Sequence, residues 1–363
     1  MDKLNIYMHE LEHLYYDTRH WLQHVTLDDY KSFRSKIIPI LVVVAILYYL
    51  IRKFCSGGVC KSQARLDGKS IIVTGSTEGI GREAAKEFYR RGARVIMACR
   101  NKEKAQKTTT EIFNAYKNVP GVVVGKLVNY TLDLSSMTSI REFCEDIIEK
   151  ESNIDILVNN AGLIQEINQG QHSTEDGFDL TIGTNHLGPF LLTNLLLEKL
   201  SQSNHKPARV INVSSRAYEW GKIHTENLNF GAAVPFPGAF KAYGQSKLCN
   251  IFFTQELAKR TKDLNISTYA LHPGTVKTNI ATGKFPWYFT MIVKCISLPL
   301  MWLFSKTATQ GAQTTIYCAV DESIASESGR YYVDCKETSL KSIANDKETA
   351  RKLWELSEKL VKL

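Results

Sequence analysis

What this 363-residue chain lacks narrows its role before any motif is read. Its eight cysteines (Cys55, Cys60, Cys99, Cys144, Cys249, Cys295, Cys318 and Cys335) show no paired spacing, and several sit inside apolar strand or helix patterns. That excludes a disulfide framework or a zinc module and suits reduced thiols in a cytosolic setting. There is no internal repeat and no low-complexity segment, so a solenoid or a disordered scaffold is not expected. No nucleic-acid motif accompanies the basic residues, which are scattered rather than gathered into a stripe. The net charge of +8 therefore suits an anionic membrane face and a phosphorylated ligand better than a nucleic acid.

One apolar run stands out, Ile37 to Ile51, with Pro39 near its start. It is shorter than the ~20 residues that span a bilayer comfortably, but Phe54 and snorkelling Lys36, Arg52 and Lys53 extend its reach. A signal peptide fails on position, because an acidic, structured-looking segment precedes the run. A membrane hairpin or an interfacial anchor stays open as a third reading. Arg52, Lys53, Lys61, Arg65 and Lys69 follow the run, against Lys31, Arg34 and Lys36 before it. This bias places the C-terminal part in the cytosol, with endoplasmic reticulum and lipid droplet both open. The expected organisation is a tail (1–36), a membrane anchor (37–54), a linker (55–65), a main domain (66–336) and a C-terminal helical extension (337–363).

Within the main domain, short β-rich apolar runs alternate with helical periodicity. Strands are expected over 70–74, 94–98, 122–132, 154–158, 209–213 and 266–271, and helices over 82–91, 102–116, 139–149, 190–200 and 241–259. This is an α/β pattern, a Rossmann-type doubly wound parallel sheet carried behind an N-terminal membrane-anchor helix.

The first strand runs into Gly75-Ser76-Thr77-Glu78-Gly79-Ile80-Gly81 and then a helix. Glycines at that spacing allow a tight turn, close approach of a pyrophosphate, and phosphate binding at the helix N-terminus. The second strand ends at Arg100, where an enzyme selective for NAD carries an acid. Arg100 would pair with a 2′-phosphate, so NADP(H) is the expected cofactor. Glu78 opposes this, because an acid in the glycine loop disfavours that phosphate. Further on, Tyr243 and Lys247 stand four apart at the start of a helical segment and share a face. A nearby ammonium is expected to lower the phenol from its usual value near 10 toward a useful proton donor.

The signposts Thr74-Gly75 through Gly81, Asp133-Leu134, Asn159-Asn160-Ala161-Gly162, Asn185, Asn212-Val213-Ser214-Ser215, Tyr243 with Lys247, and Pro273-Gly274 followed by Thr278 occur in that order. Together they resemble the short-chain dehydrogenase/reductase family over about residues 66–336. The resemblance implies that Tyr243 is the acid or base and that Lys247 holds the nicotinamide ribose. It further implies that Ser215 binds the substrate oxygen and Asn185 holds a relay water, with Ser214 as the alternative serine. Gly75, Ser76, Thr77, Gly79, Ile80, Gly81, Arg100, Asp133, Leu134, Asn160, Ala161, Gly162, Pro273, Gly274 and Thr278 would line the cofactor site, and no metal is implied.

The long stretch between Ser215 and Tyr243, with Trp220, Asn227 and Pro235-Phe236-Pro237, departs from many soluble members. That insertion, the anchor, and the runs from Lys306 to Gln313 and Ser328 to Tyr332 resemble the retinol dehydrogenase group. The implied substrate is lipophilic, retinal or a similar long aldehyde, and a homo-oligomer stays open. The apolar segment 285–304 would form a lid against the bilayer. Rival functions are a steroid or fatty-acyl carbonyl reductase, or a non-catalytic NADP-binding membrane scaffold. His9-Glu10-Leu11-Glu12-His13 fits a zinc-protease pattern, but its segment is too short to enclose a cleft. Asn129, Asn212 and Asn265 head glycosylation triplets that fall in or beside expected strands, so none is expected to be used.

Overall fold

The computed structural model describes residues 26–121, 123–164, 173–229, 238–276 and 304–363. The zinc-protease-like segment, Pro235-Phe236-Pro237, Thr278 and nearly all of the expected lid lie outside them. The chain divides into two compact units, Met1–Phe54 and Cys55–Leu363.

In the first unit the main element is helix α1 (Leu27–Cys55), with Pro39 inside it and Arg52 and Lys53 in its last turn. Its stretch Lys31–Cys55 has a mean hydropathy of 2.1 and is not buried, and Ile40, Leu41, Val43, Leu47 and Leu50 are each more than half exposed. It is long and apolar enough to cross a membrane.

The second unit is built on eight strands in the order β3-β2-β1-β4-β5-β6-β7-β8. They are β1 (Ser70–Thr74), β2 (Arg94–Cys99), β3 (Lys126–Thr131), β4 (Ile156–Asn159), β5 (Ala208–Val213), β6 (Ile266–His272), β7 (Arg330–Val333) and β8 (Lys336–Glu337). All pairings are parallel except β7 with β8. The helices are α2 (Gly79–Arg90), α3 (Lys102–Tyr116), α4 (Met137–Lys150), α5 (Gly188–Leu195), α6 (Leu197–Ser201), α7 (Gly238–Arg260), α8 (Ala308–Val320) and α9 (Lys347–Val361). β1, β4 and β5 are buried at every residue, because both faces of the sheet are covered, and their centres are accordingly rich in Val, Ile and Leu.

Alternate residues of each strand feed two separate cores. Ile72, Leu157 and Val210 pack with α4, α5, α7 and α9, whereas Ile71, Val73, Ile156 and Ile211 pack with α2, α3 and α8. The chain winds outward from β1 to β3, then returns to place β4 on the other side of β1. The crevice for a ligand in such a sheet opens at this reversal, beyond the carboxyl ends of the strands.

Three local departures have physical reasons. β3 begins at Lys126 rather than 122, behind Gly125, where a Cβ would lie 1.8 Å from the Ala93 carbonyl oxygen. The helix expected over 190–200 is interrupted at Leu196 and preceded by a π-helical turn, Gly183–Leu187. The last helix, α9, closes the core rather than trailing from it. Trp354 packs against Phe190 and Phe253 with ring centroids 4.8 and 5.8 Å away, and Ser357 Oγ lies 2.9 Å from His186 Nε2.

Candidate active site

The end of β1 is tied to the end of β4 across the reversal point. Thr74 Oγ1 accepts from the backbone N–H groups of Asn160 and Ala161, both at 3.0 Å, and Asn160 Nδ2 donates to the Thr74 carbonyl at 2.9 Å. Beneath them Asn159 Nδ2 donates to Thr193 and Asn212, at 3.0 and 2.8 Å. Asn212 is thus a core residue, 1% exposed, closed to glycosylation in the folded chain. Gly75 and Gly79 adopt φ of 64° and 58°, a region that favours glycine. At Gly81 a Cβ would lie 2.4 Å from Asn160 Nδ2 and 2.5 Å from the Gly75 carbonyl oxygen. Glu78, at the N-cap of α2, makes no side-chain capping bond. The first-turn amides and the positive end of the helix dipole are therefore available to an anion.

A cavity of about 1280 Å³ runs from this turn to the β5 and β6 ends. Gly75, Thr77, Gly79, Ile80, Gly81, Arg100, Asp133, Leu134, Asn160, Ala161, Gly162, Pro273 and Gly274 all line it, as do Ser215, Tyr243 and Lys247. Ser76 does not line it: the side chain is fully buried with its Oγ 3.2 Å from Cys99 Sγ. Lys104 Nζ holds Glu78 at 2.7 Å, so the acid that opposes a 2′-phosphate carries its own counter-charge beside Arg100. That lysine was visible in the sequence only as part of a basic loop.

The four polar groups expected at the reacting end converge, with a division of labour. Tyr243 is 8% exposed, and Lys247 Nζ lies over its ring, 5.5 Å from the centroid, while donating to the Val213 carbonyl at 3.0 Å. Burial lowers the Lys247 ammonium to about 8. Burial also raises the Tyr243 phenol above its ordinary value, and its hydrogen bond with Ser215 pulls it back down. The lowering expected from Lys247 is not the net result here, because burial of the phenol dominates.

Ser214 and Ser215 part company. Ser214 is 2% exposed and donates to the Lys247 carbonyl at 2.7 Å, whereas Ser215 reaches Tyr243. Asn185, fully buried in the π-helical turn, accepts from Leu163 N–H and donates to the Leu163 carbonyl, each at 2.8 Å, and to Ser246 Oγ at 3.0 Å. It does not line the cavity, yet a Cβ on Gly162 would lie 3.2 Å from Lys247 Nζ and 3.3 Å from Asn185 Oδ1, so the three meet around one glycine.

Other groups at the site could not be placed from spacing. His272 lines the cavity and accepts from Arg216 N–H at 3.3 Å. Burial and then the Lys306 charge push it down to about 4. Lys306 is buried and paired with Asp334, with its side chain against Gly274. Trp220 and Phe240 also line the cavity, although only Trp220 had drawn notice, as part of an insertion. Among the described residues no cluster of three or more His, Cys, Asp or Glu could hold a metal ion.

Comparison with known proteins agrees with this geometry. The family model described as short chain dehydrogenase matches residues 69–288. Retinol dehydrogenase 11 of Homo sapiens is 42% identical over 327 residues, covering 88% of this chain and 95% of its own. The crystal structure of a protein from Mycobacterium Paratuberculosis, 30% identical, superposes with a TM-score of 0.63 over 84% of this chain and 98% of that one. The NADP active-site complex of Pseudomonas aeruginosa RhlG, 25% identical, gives a TM-score of 0.54 over 74% and 94%.

Proposed function

The chain belongs to the short-chain dehydrogenase family, within its retinol dehydrogenase group, and is an oxidoreductase; from that premise we propose that it reduces a long apolar aldehyde, retinal or a close relative, to its primary alcohol with NADPH. The observation that carries the reading is the meeting, in one cavity, of a glycine cradle and a serine–tyrosine–lysine group. Gly81, where a Cβ has no room, and the uncapped start of α2 suit a pyrophosphate, and Arg100 with the Lys104–Glu78 pair suits a 2′-phosphate. The cofactor supplies the hydride. Ser215 donates a hydrogen bond to the carbonyl oxygen and holds it beside Tyr243, which gives up its phenolic proton as that oxygen gains charge. Lys247, whose Nζ donates to the Val213 carbonyl, would bind the nicotinamide ribose and steady the charge left on the phenol. Asn185 fixes Leu163 and Ser246 and so keeps the wall behind Lys247 in place.

The substrate class is supported by the retinol dehydrogenases that the chain resembles and by the apolar segment 285–304. Helix α1 is read as a membrane anchor of the endoplasmic reticulum or lipid droplet, with the catalytic unit in NADPH-rich cytosol, which sets the direction toward alcohol. The test is turnover of all-trans-retinal by purified full-length chain with NADPH. Tyr243→Phe is expected to bind NADPH normally and lose about 10²- to 10⁴-fold in rate. A Tyr243→Phe protein no slower than the parent defeats the assignment.

A further inference from the structure

The catalytic tyrosine is the inner end of a row of aromatic rings. Phe240 lies one helical turn before Tyr243 on α7, with ring centroids 6.4 Å apart at 39°. Trp220 lies beyond it, 5.3 Å from Phe240 at 45°. All three rings line the same cavity as Ser215. Trp220 is 60% exposed, far too open to be a core residue, and its ring is available to a ligand that enters the cavity it lines.

The row is fixed relative to the reacting groups. A short 3₁₀ turn, Arg216–Trp220, leads directly from Ser215 to Trp220 and is N-capped by the Ser215 side chain. The turn presses onto the tyrosine helix through two glycines. A Cβ on Gly221 would lie 2.4 Å from the Gly244 carbonyl oxygen, and one on Gly244 would lie 2.7 Å from the Ala217 carbonyl oxygen. Gly244, between Tyr243 and Gln245, is thus the contact that holds the serine strand end, the indole and the phenol in one rigid frame. The charged members of the turn, Arg216 and Glu219, pair with each other at 3.3 Å, which leaves the aromatic wall free of an uncompensated charge.

We propose that Trp220 and Phe240 are specificity-determining residues, a flat wall that selects planar, conjugated apolar aldehydes over saturated ones of similar length. Flat rings offer their faces to offset stacking, which a conjugated chain can meet and a saturated chain cannot. A conjugated chain is also already planar, whereas a saturated chain loses rotamer freedom when laid along a rigid wall. The inference rests on the aldehyde-reductase reading and names the substrate class that the site prefers.

The experiment compares all-trans-retinal with a saturated unbranched aldehyde of matching chain length, each with NADPH, in the full-length parent, Trp220→Ala and Trp220→Phe. Because Trp220 is exposed, its replacement leaves the core intact. Trp220→Ala is expected to raise KM for retinal about tenfold, which is ~1.4 kcal/mol, with kcat and the KM for NADPH little changed. The saturated aldehyde shifts by less than about threefold, and Trp220→Phe restores most of the loss. Equal shifts for both aldehydes, or none for either, overturn the selectivity proposal while the reductase reading stands. A parent protein that reduces neither aldehyde overturns that reading and this one together.

Discussion

Replacing Ser214 and Ser215 one at a time separates a fold-bearing hydroxyl from a reacting one. Ser215 hydrogen-bonds Tyr243 and faces the cavity. On the proposed reading Ser215→Ala removes the donor to the substrate carbonyl oxygen, with an expected loss of about 10² to 10³ in kcat, or ~2.7–4 kcal/mol. It also removes the one contact that pulls the phenol down, so any residual activity moves to higher pH. Ser214, 2% exposed, gives its proton to the Lys247 carbonyl at 2.7 Å. Ser214→Ala leaves that buried carbonyl one partner short, a cost of ~1–3 kcal/mol in stability. For the unit Cys55–Leu363, of about 300 residues, that lowers Tm by roughly 1.5 °C per kcal/mol. Initial rates of NADPH oxidation with retinal, paired with thermal melts of the same preparations, read both quantities. The expected pattern is crossed: Ser215→Ala slow with its Tm near that of the parent, Ser214→Ala less stable with kcat within about threefold. The reverse pattern refutes the placement of the two hydroxyls, as does a Ser215→Ala protein at full rate.

Three further outcomes are expected. Arg100→Asp raises KM for NADPH at least about tenfold, the worth of a charge-assisted phosphate contact, and leaves NADH nearly unchanged; equal effects remove Arg100 from the 2′-phosphate site. His186, 1% exposed and held by burial at about 3, stays neutral in the folded chain while the unfolded chain takes up a proton below about 6.5. Stability is therefore full above that pH and falls below it, by about 2 kcal/mol at pH 5 from this residue, with half-buried His272 acting in the same direction. Urea unfolding of the parent and of His186→Gln at the two pH values checks the slope, and identical slopes exclude His186 as its source. Finally, α1 as a spanning anchor predicts that the protein stays with membranes through alkaline carbonate; release into the supernatant excludes integral insertion.

Much of this architecture was legible in the sequence, because a strand covered on both faces has to be apolar throughout. Ser70–Thr74 and Ile156–Asn159 announce themselves this way, and the glycine turn is forced by backbone contacts that leave no room for a Cβ. What periodicity could not convey is three-dimensional company. The break at Leu196 falls within the leucine-rich run Phe190–Leu200, whose composition barely changes across it. The direction of the Tyr243 shift is set by how deeply the phenol is buried, and a spacing of four does not record that. Ser76 fits the glycine-loop pattern yet turns inward to Cys99. Trp220 and Phe240 stand twenty positions apart, and only the packing of Gly221 on Gly244 brings them together.

Helix α9 also sets an order of events during synthesis. Leu353, Trp354 and Val361 are buried in the core beside α5 and α7, and Arg141 Nη2 on α4 donates to the Val361 carbonyl at 2.8 Å. These closing contacts come from residues that leave the ribosome after every strand of the sheet. Until α9 has been made, the apolar flank around Phe190 and Phe253 lacks the cover that Trp354 gives it, so the nascent chain passes through a stage in which that flank is open to chaperones or to wrong partners. A message cut short before α9 would leave a polypeptide that carries Ser215, Tyr243 and Lys247 and lacks the helix that closes the core behind them.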